Sequence, residues 1–235
     1  MTETLKAAET VAETAQHPRR VRSFVRRPGR LTPAQDRALE ELLPAYRVDE
    51  RLSDLGEAFE RPAPLILEIG FGNGEALVTM AGNESDCNFI GIEVHEPGVG
   101  RALRAIEQAG LGNVRVAMRD AVELLATQVP SGSLDQVRIY FPDPWPKKRH
   151  HKRRIIQPEF VERLAASIRP RGLLHLATDW APYAEWMLEI VGACAAFENR
   201  GTPWVEKPDW RPQTRFERRG LGRGHAIFDL LFARC

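Results

Sequence analysis

Residues 65–74 read LILEIGFGNG, and EALVTM follows over 75–80. A short apolar run that ends in glycine reads as a buried strand, and Gly70, Gly72 and Gly74 let the chain turn sharply into a helix opening at Glu75–Met80. The same alternation continues outward in both directions. NFIGIEV (88–94) is a second strand and Val99–Ala109 a helix; NVRVAM (113–118) is a third strand, followed by a helix around Ala121–Gln128. LDQVRIYF (134–141) is a fourth strand, Pro158–Ile168 a helix, GLLHLAT (172–178) a fifth strand, Ala181–Ala196 a helix and HAIFDLLFA (225–233) a late strand. Upstream, Thr32 caps a helix that runs from Pro33 to about Leu43, and Pro62 and Pro64 close the linker. Strands separated by helices of about ten residues imply parallel βαβ units, so the fold class is α/β with a doubly wound sheet.

A strand, a glycine turn and a helix are where such a sheet binds a nucleotide-like ligand, because bare backbone and free helix N–H groups can approach it. The spacing here is GxGxG, not the dinucleotide GxGxxG. Acids raise the specificity. Glu93 closes the second strand 19 residues after Gly74, where a carboxylate can accept ribose hydroxyls. Asp120 closes the third strand and either binds an adenine amino group or caps the next helix. Glu68 lies inside an apolar strand, where a carboxylate is costly to bury without a partner; it is a ligand for a cation or an edge-facing structural acid. Acids beside a diphosphate would repel it. They suit a ligand with ammonium and sulfonium charges and a ribose diol, which favours S-adenosylmethionine as cofactor over NAD.

The fourth strand runs into YFPDPWP (140–146) and then KKRHHKRR (147–154). Prolines hold the loop extended and fix Asp143 at the ligand-binding edge. Aromatic residues beside six cations suggest base stacking joined to phosphate contact; the bland alternative is a proline-braced turn with Trp145 as packing. Asp179 ends the fifth strand on the same edge, and TRFERRG (214–220) precedes the last strand. Carboxylates such as Asp179 and Glu217 can accept guanine N1–H and N2–H₂, a pair that adenine does not offer; helix capping is the competing reading.

Charge is segregated. Residues 17–30, 147–154 and 211–223 hold 17 of the 33 Lys and Arg and one of the 32 acids, a net of +16 against −15 for the other 200 residues. Three basic segments meeting on an acidic body make the footprint of a polyanion-binding surface; three unrelated solvated loops are the alternative. Cys87, Cys194 and Cys235 are far apart, so neither a disulfide framework nor a thiolate metal site is expected, and no metal is assigned. Residues 1–16 lack the apolar core of a signal peptide, and no run approaches the roughly 18 apolar residues of a membrane span. Residues 1–18 read as a disordered tail, 19–61 as a basic arm and helix, and 62–235 as the main domain. A cytoplasmic location is expected.

LEIGFGNG, GIEVHEPGVG, YFPDPWPKKRHHKRR, ATDWAPYAEWM and TRFERRGLGRGH together resemble the bacterial tRNA (guanine-N7-)-methyltransferases that modify guanine 46 of the variable loop. RSFVRRPGRLTPAQ resembles the basic N-terminal segment of proteobacterial members, so the resemblance covers about residues 20–235. It implies a Rossmann-like class I methyltransferase fold, with a mostly parallel seven-stranded sheet whose last strand is antiparallel. It implies S-adenosylmethionine as methyl donor and tRNA as partner. Glu68, Gly70, Glu93, Asp120 and Asp143 then line the cofactor site, and Lys147, Asp179, Thr214, Arg215, Phe216 and Glu217 the substrate site. Arg149, His150, His151, Lys152, Arg153 and Arg154 form the RNA-contacting run. Arg215 departs from the pattern, which has Lys there: the charge is kept but the donor geometry changes. No obligate protein partner is evident, and monomer and homodimer both stay open.

Guanine N7 has an in-plane lone pair and no proton, so attack on a methyl needs no general base. Catalysis would be positioning and electrostatics, with Asp143 as the catalytic candidate, either stabilising the charge that develops on the guanine or orienting the cofactor. Two rivals remain: an NAD(P)-dependent oxidoreductase with an incidental basic surface, and a non-catalytic RNA-binding protein on a methyltransferase fold. Within methyltransferases, rRNA or an exocyclic amine remains an alternative substrate.

Overall fold

The computed structural model describes residues 30–235. The expected N-terminal tail and nearly all of the first basic segment lie outside the described residues. The described chain forms a seven-stranded sheet in the order β3-β2-β1-β4-β5-β7-β6. Its strands are β1 (Leu65–Ile69), β2 (Asn88–Ile92), β3 (Val114–Ala117), β4 (Leu134–Tyr140), β5 (Ile168–Thr178), β6 (Phe197–Asn199) and β7 (Phe228–Arg234). Strands β1 to β5 pair in parallel, while β7 runs antiparallel between β5 and β6. The sheet is thus the mostly parallel, doubly wound type with an antiparallel last strand that the sequence implies.

Every residue of β1 and β2 is buried, which is why both strands are apolar runs without polar alternation. Helices cover both faces. α1 (Pro33–Glu41), α3 (Glu75–Asn83) and α4 (Glu96–Gln108) pack one face around Ile66, Leu77, Phe89 and Leu103. α5 (Ala121–Thr127), α6 (Pro158–Ser167) and α7 (Ala181–Gly192) pack the other around Leu67, Ile90, Leu124, Leu164 and Met187. Each fully buried Leu, Ile or Met stabilises the fold by about 1.5–3 kcal/mol relative to exposure. Thr32 and Gln35 form the reciprocal box that starts α1, and Gln35 Nε2 reaches the Pro97 carbonyl at 3.0 Å, docking α1 on α4.

Three elements differ from expectation. β5 begins at Ile168 instead of Gly172; its first residues bulge, with Arg171 at φ 66° and the β4 register shifting between Leu134 and Gln136. β6 is a three-residue edge strand, and α8 (Arg215–Leu221) is a short helix where none is expected. The remaining short elements are α2 (Leu43–Tyr46) and 3₁₀ turns at Leu55–Ala58 and Lys148–Arg153.

From β1 the chain winds outward through β2 to β3 and returns to β4 beside β1. The order therefore reverses between β1 and β4, and the crevice at their carboxyl ends is the place where open α/β sheets bind ligands.

Candidate active site

The glycine turn lies in that crevice. Gly70, Gly72 and Gly74 have φ of +77°, +59° and +76°, a region that strains other residues. The turn is stitched to the next strand: Gly70 N–H donates to the Ile92 carbonyl at 2.8 Å, and Gly72 N–H to Glu93 Oε2 at 2.9 Å. Glycine at 98 serves the same corner, because a Cβ there would lie 2.3 Å from the Gly72 carbonyl. Glu93 Oε1 also accepts from the N–H groups of Val94 and His95. Three of about four lone-pair sites on this carboxylate are thus engaged, leaving about one for a ligand hydroxyl.

A cavity of about 230 Å³ opens above the turn, lined among others by Gly70, Gly72, Glu93, Arg119, Asp143 and Phe216. A second cavity of about 40 Å³ adjoins it, lined among others by Glu68, Tyr140, Thr214 and Arg215. Gly70, Tyr140, Phe141 and Phe216 line both. Glu68 is buried, and its Oε2 has no hydrogen-bond partner in the structure. Burial, and to a lesser degree the nearby Glu93 charge, outweigh Arg138 and push its carboxyl up to about 8. Glu68 is therefore an interior acid beside the cavity and not an edge-facing one. Asp120 caps α5, its Oδ1 accepting from Val122 N–H at 2.8 Å, while its neighbours Arg119 and Ala121 line the larger cavity.

The YFPDPWP loop leaves β4 at this edge. Phe141 (φ 51°) and Trp145 (φ 44°) hold strained backbone on either side of the Pro142-Asp143-Pro144 segment, as loops at functional sites often do. Asp143 is exposed and lines the larger cavity. Lys147, Lys148, Arg149 and Lys152 are exposed beyond it. Arg153 lies over the Trp145 ring, 5.0 Å from its centroid, and His150 meets that ring edge-on at 5.8 Å. Burial, then the surrounding arginines and lysines, hold His150 below the usual histidine range, so it is neutral at pH 7.

Arg154 contradicts its place in the RNA-contacting run. It is 3% exposed, donates to the Pro144 carbonyl at 2.9 Å and to His151 at 3.1 Å, and lies between the rings of Tyr183 and Trp186. Stacking on the α7 aromatics takes it out of reach of a phosphate; it anchors the loop instead. His151, half-buried against Trp186, belongs with it.

On the opposite wall, Thr214 caps α8, and Phe216 is 55% exposed over the glycine turn. Glu217 is buried, with Arg211 Nη1 2.5 Å from its Oε2, and it lines neither cavity. The expected contact from Glu217 to a guanine edge is therefore corrected: its carboxylate is spent on an internal ion pair. Arg211 in turn leaves the basic surface, being fully buried. Asp179 stands at the end of β5, outside both cavity linings, with Oδ2 3.2 Å from His225 Nδ1. The crevice thus gathers Glu68, Gly70, Glu93, Asp143, Thr214, Arg215 and Phe216, while Asp120, Lys147 and Asp179 flank it. Sequence reasoning missed Arg119 and Ile155 in the wall, and the buried group His175, Arg211 and Asp229 behind it. Among the described residues no cluster of three His, Cys, Asp or Glu could hold a metal, and no helix is long and apolar enough to cross a membrane.

Residues 62–230 match a family model described as "Putative methyltransferase". A tRNA (guanine-N(7)-)-methyltransferase of Halorhodospira halophila is 58% identical over 220 residues, covering 92% of this chain and 95% of the relative. One from Alkalilimnicola ehrlichii is 53% identical over 229 residues, covering 95% and 97%. Among solved structures, the 16S rRNA methyltransferase KamB aligns with a TM-score of 0.57 at 15% identity, over 80% of this chain and 98% of that one. TrmN from Thermus thermophilus aligns at 0.53 and 16%, over 86% and 48%. The structural likenesses show the fold alone. At the identities and coverage of the sequence relatives, with the acid-lined crevice and the loop already described, the chain belongs to the bacterial tRNA (guanine-N7-)-methyltransferase family and is an enzyme of that kind.

Proposed function

We propose that this enzyme transfers the methyl group of S-adenosylmethionine to N7 of guanine 46 in the tRNA variable loop, leaving 7-methylguanosine and S-adenosylhomocysteine. The observation that carries the reading is the unpartnered Glu68 oxygen, buried at the switch point on a small cavity that adjoins the larger one lined by Glu93 and Asp143. Across the two cavities the acids Glu68, Glu75, Glu93 and Asp143 outnumber the cations Arg119 and Arg215, which fits a positively charged ligand and opposes a diphosphate. The cavity's glycines leave bare backbone where an adenosine would lie. When bound, S-adenosylmethionine supplies an electrophilic methyl group on a sulfonium.

The residues divide the work. Glu68 offers its free oxygen to a cationic group, and Glu93 its remaining lone pair to a ribose hydroxyl. Asp120 keeps the end of β3 closed and supports the adenosine side. Asp143 projects where cavity and basic loop meet, placed to hold positive charge as it develops on the guanine. Asp179 is the remaining acid for the guanine N1–H and N2–H₂ edge, with Lys147, Thr214, Arg215 and Phe216 on the substrate side. Arg149, Lys152 and Arg153 provide phosphate and stacking contacts, with neutral His150 against Trp145. Guanine N7 needs no base to remove a proton, so these groups act by orientation and electrostatics.

Incubating the protein with labelled S-adenosylmethionine and bulk tRNA, then digesting to nucleosides, tests the reading. Label in 7-methylguanosine is expected, with chemical strand cleavage of undigested tRNA at the methylated base mapping it to position 46. Label in another nucleoside, at another position, or nowhere would sink it. Asp143→Ala should abolish turnover with little change in tRNA affinity; near-normal single-turnover methylation by that variant would remove Asp143 from the mechanism.

A further inference from the structure

Arg211 lies in a basic run, yet its side chain is wholly interior. Its Nε and Nη2 donate to the two carboxylate oxygens of Asp229 at 2.6 and 2.8 Å. Its Nη1 donates to Glu217 Oε2 at 2.5 Å. The guanidinium carbon is 5.8 Å from the ring centroids of both Tyr140 and Phe141. One side chain therefore joins β7, the first turn of α8, the end of β4 and the strained corner that leads to Pro142 and Asp143.

The group extends one step further. His175 Nε2 lies 2.9 Å from Asp229 Oδ1, and His175 Nδ1 lies 2.9 Å from the Tyr140 hydroxyl. Burial outweighs Asp229 and holds His175 below the usual histidine range. A neutral ring then has one consistent arrangement, with Nε2–H donating to Asp229 and Nδ1 accepting from Tyr140 O–H. Two carboxylates, Asp229 and Glu217, share the single Arg211 cation.

α8 is fastened mainly by polar contacts. It has seven residues, and the large apolar ones, Phe216 and Leu221, are 55% and 47% exposed. Apolar burial does not hold this helix in place; the Glu217–Arg211 pair at its first turn, the Arg218–Glu75 pair at 2.6 Å and the close approach of Gly220 to Asp179 do. Yet α8 carries Phe216, whose ring lies 3.8 Å from where a Cβ of Gly72 would be.

We propose that Arg211 is a positioning residue for methyl transfer. It clamps the start of α8 to β7 and to the Tyr140–Phe141 corner, and so aligns the wall that carries Thr214 and Phe216 with Asp143 across the cavity. The inference rests on the proposed reading of that cavity as the place where methyl donor and guanine meet.

The test compares wild type, Arg211→Lys, Glu217→Leu and the double variant, with kcat and KM measured on tRNA and donor affinity by calorimetry with S-adenosylmethionine. Lysine keeps the charge but loses the fork; Glu217→Leu releases the first turn of α8 while leaving the Arg211–Asp229 and Arg218–Glu75 pairs. Each single change is expected to lower kcat on the order of 100-fold, as sub-ångström to ångström misplacement does, with donor affinity kept within about threefold. The double variant should be no worse than the poorer single, because both act through one contact. Multiplying losses, unchanged kcat in both singles, or donor affinity falling in step with kcat would overturn the clamp. If Arg211→Lys fails to fold, Glu217→Leu decides alone: lost kcat with donor affinity kept supports the clamp, and retained kcat overturns it. An inactive wild type would overturn the underlying function as well, whereas an active wild type with normal variants overturns only the clamp.

Discussion

Glu68 sits near the end of β1 with one carboxylate oxygen unpartnered, so its ionised form is opposed by burial and by Glu93 and helped only by Arg138. Its folded pKa near 8 lies above the ordinary carboxyl value of about 4.5, so the native state holds a proton that the unfolded chain releases. The contribution is fully present below about pH 4.5, falls as pH rises, and is lost above about 8, a swing on the order of 5 kcal/mol. Glu68→Gln removes the titration. That variant should melt well above wild type at pH 9 and close to it at pH 4, while binding the cationic donor more weakly. Calorimetric melts at the two pH values check this, and an equal difference at both would count against it. The same rule that flagged Glu68, a polar residue inside an apolar strand, also applies to His175 in GLLHLAT and Asp229 in AIFDLLF. Both are buried and bonded to each other. Arg211 was not legible this way, because in sequence it is one more arginine in a basic run and only the fold turns it inward.

The loop from Tyr140 to Arg154 shows how neighbours within one element divide into anchor and contact. Arg153 faces outward over Trp145, and Arg154 faces inward between Tyr183 and Trp186. Their alanine variants should therefore differ. Arg153→Ala is expected to leave stability unchanged and to reduce the salt slope of tRNA binding by about one unit. Arg154→Ala loses the bond to the Pro144 carbonyl and two ring contacts, and should lower unfolding stability by about 2–4 kcal/mol. Salt titrations beside denaturant melts decide it; the same pattern for both would refute the division. The run of six cations was legible as a basic element, but its inward and outward faces depend on 3₁₀ winding at Lys148–Arg153. For similar reasons α8 and β6 escape a reading of local pattern. β6 is three residues long and exists because β7 offers it backbone partners, and α8 keeps its large apolar residues exposed, so it carries no stripe to detect.

Across the whole molecule, the parallel core was legible because β1, β2 and the carboxyl-terminal parts of β4 and β5 are buried on both faces and bounded by turn residues. The charge map was legible in outline. Burial of Arg154 and Arg211 leaves nine lysines and arginines of the two described basic segments at or near the surface, among them Lys148, Lys152, Arg218 and Arg219. The first segment follows β4 and the second forms α8, and their elements face each other across one cavity through Asp143 and Phe216. If both serve one RNA surface, Lys148→Ala with Lys152→Ala should lower the slope of log K against log salt by up to about two units. Arg218→Ala with Arg219→Ala should do the same, less whatever Arg218 already gives to Glu75 at 2.6 Å. The quadruple variant should show the sum of the two, since the pairs act on separate phosphates. Arg61 lies at the amino ends of the strands, bonded to the Ser85 carbonyl, so Arg61→Ala should leave the slope unchanged. A slope that responds to only one pair would mean that the other segment is merely solvated. A slope that responds equally to Arg61 would mean that tRNA is held by diffuse charge and not by the rim around the cavity.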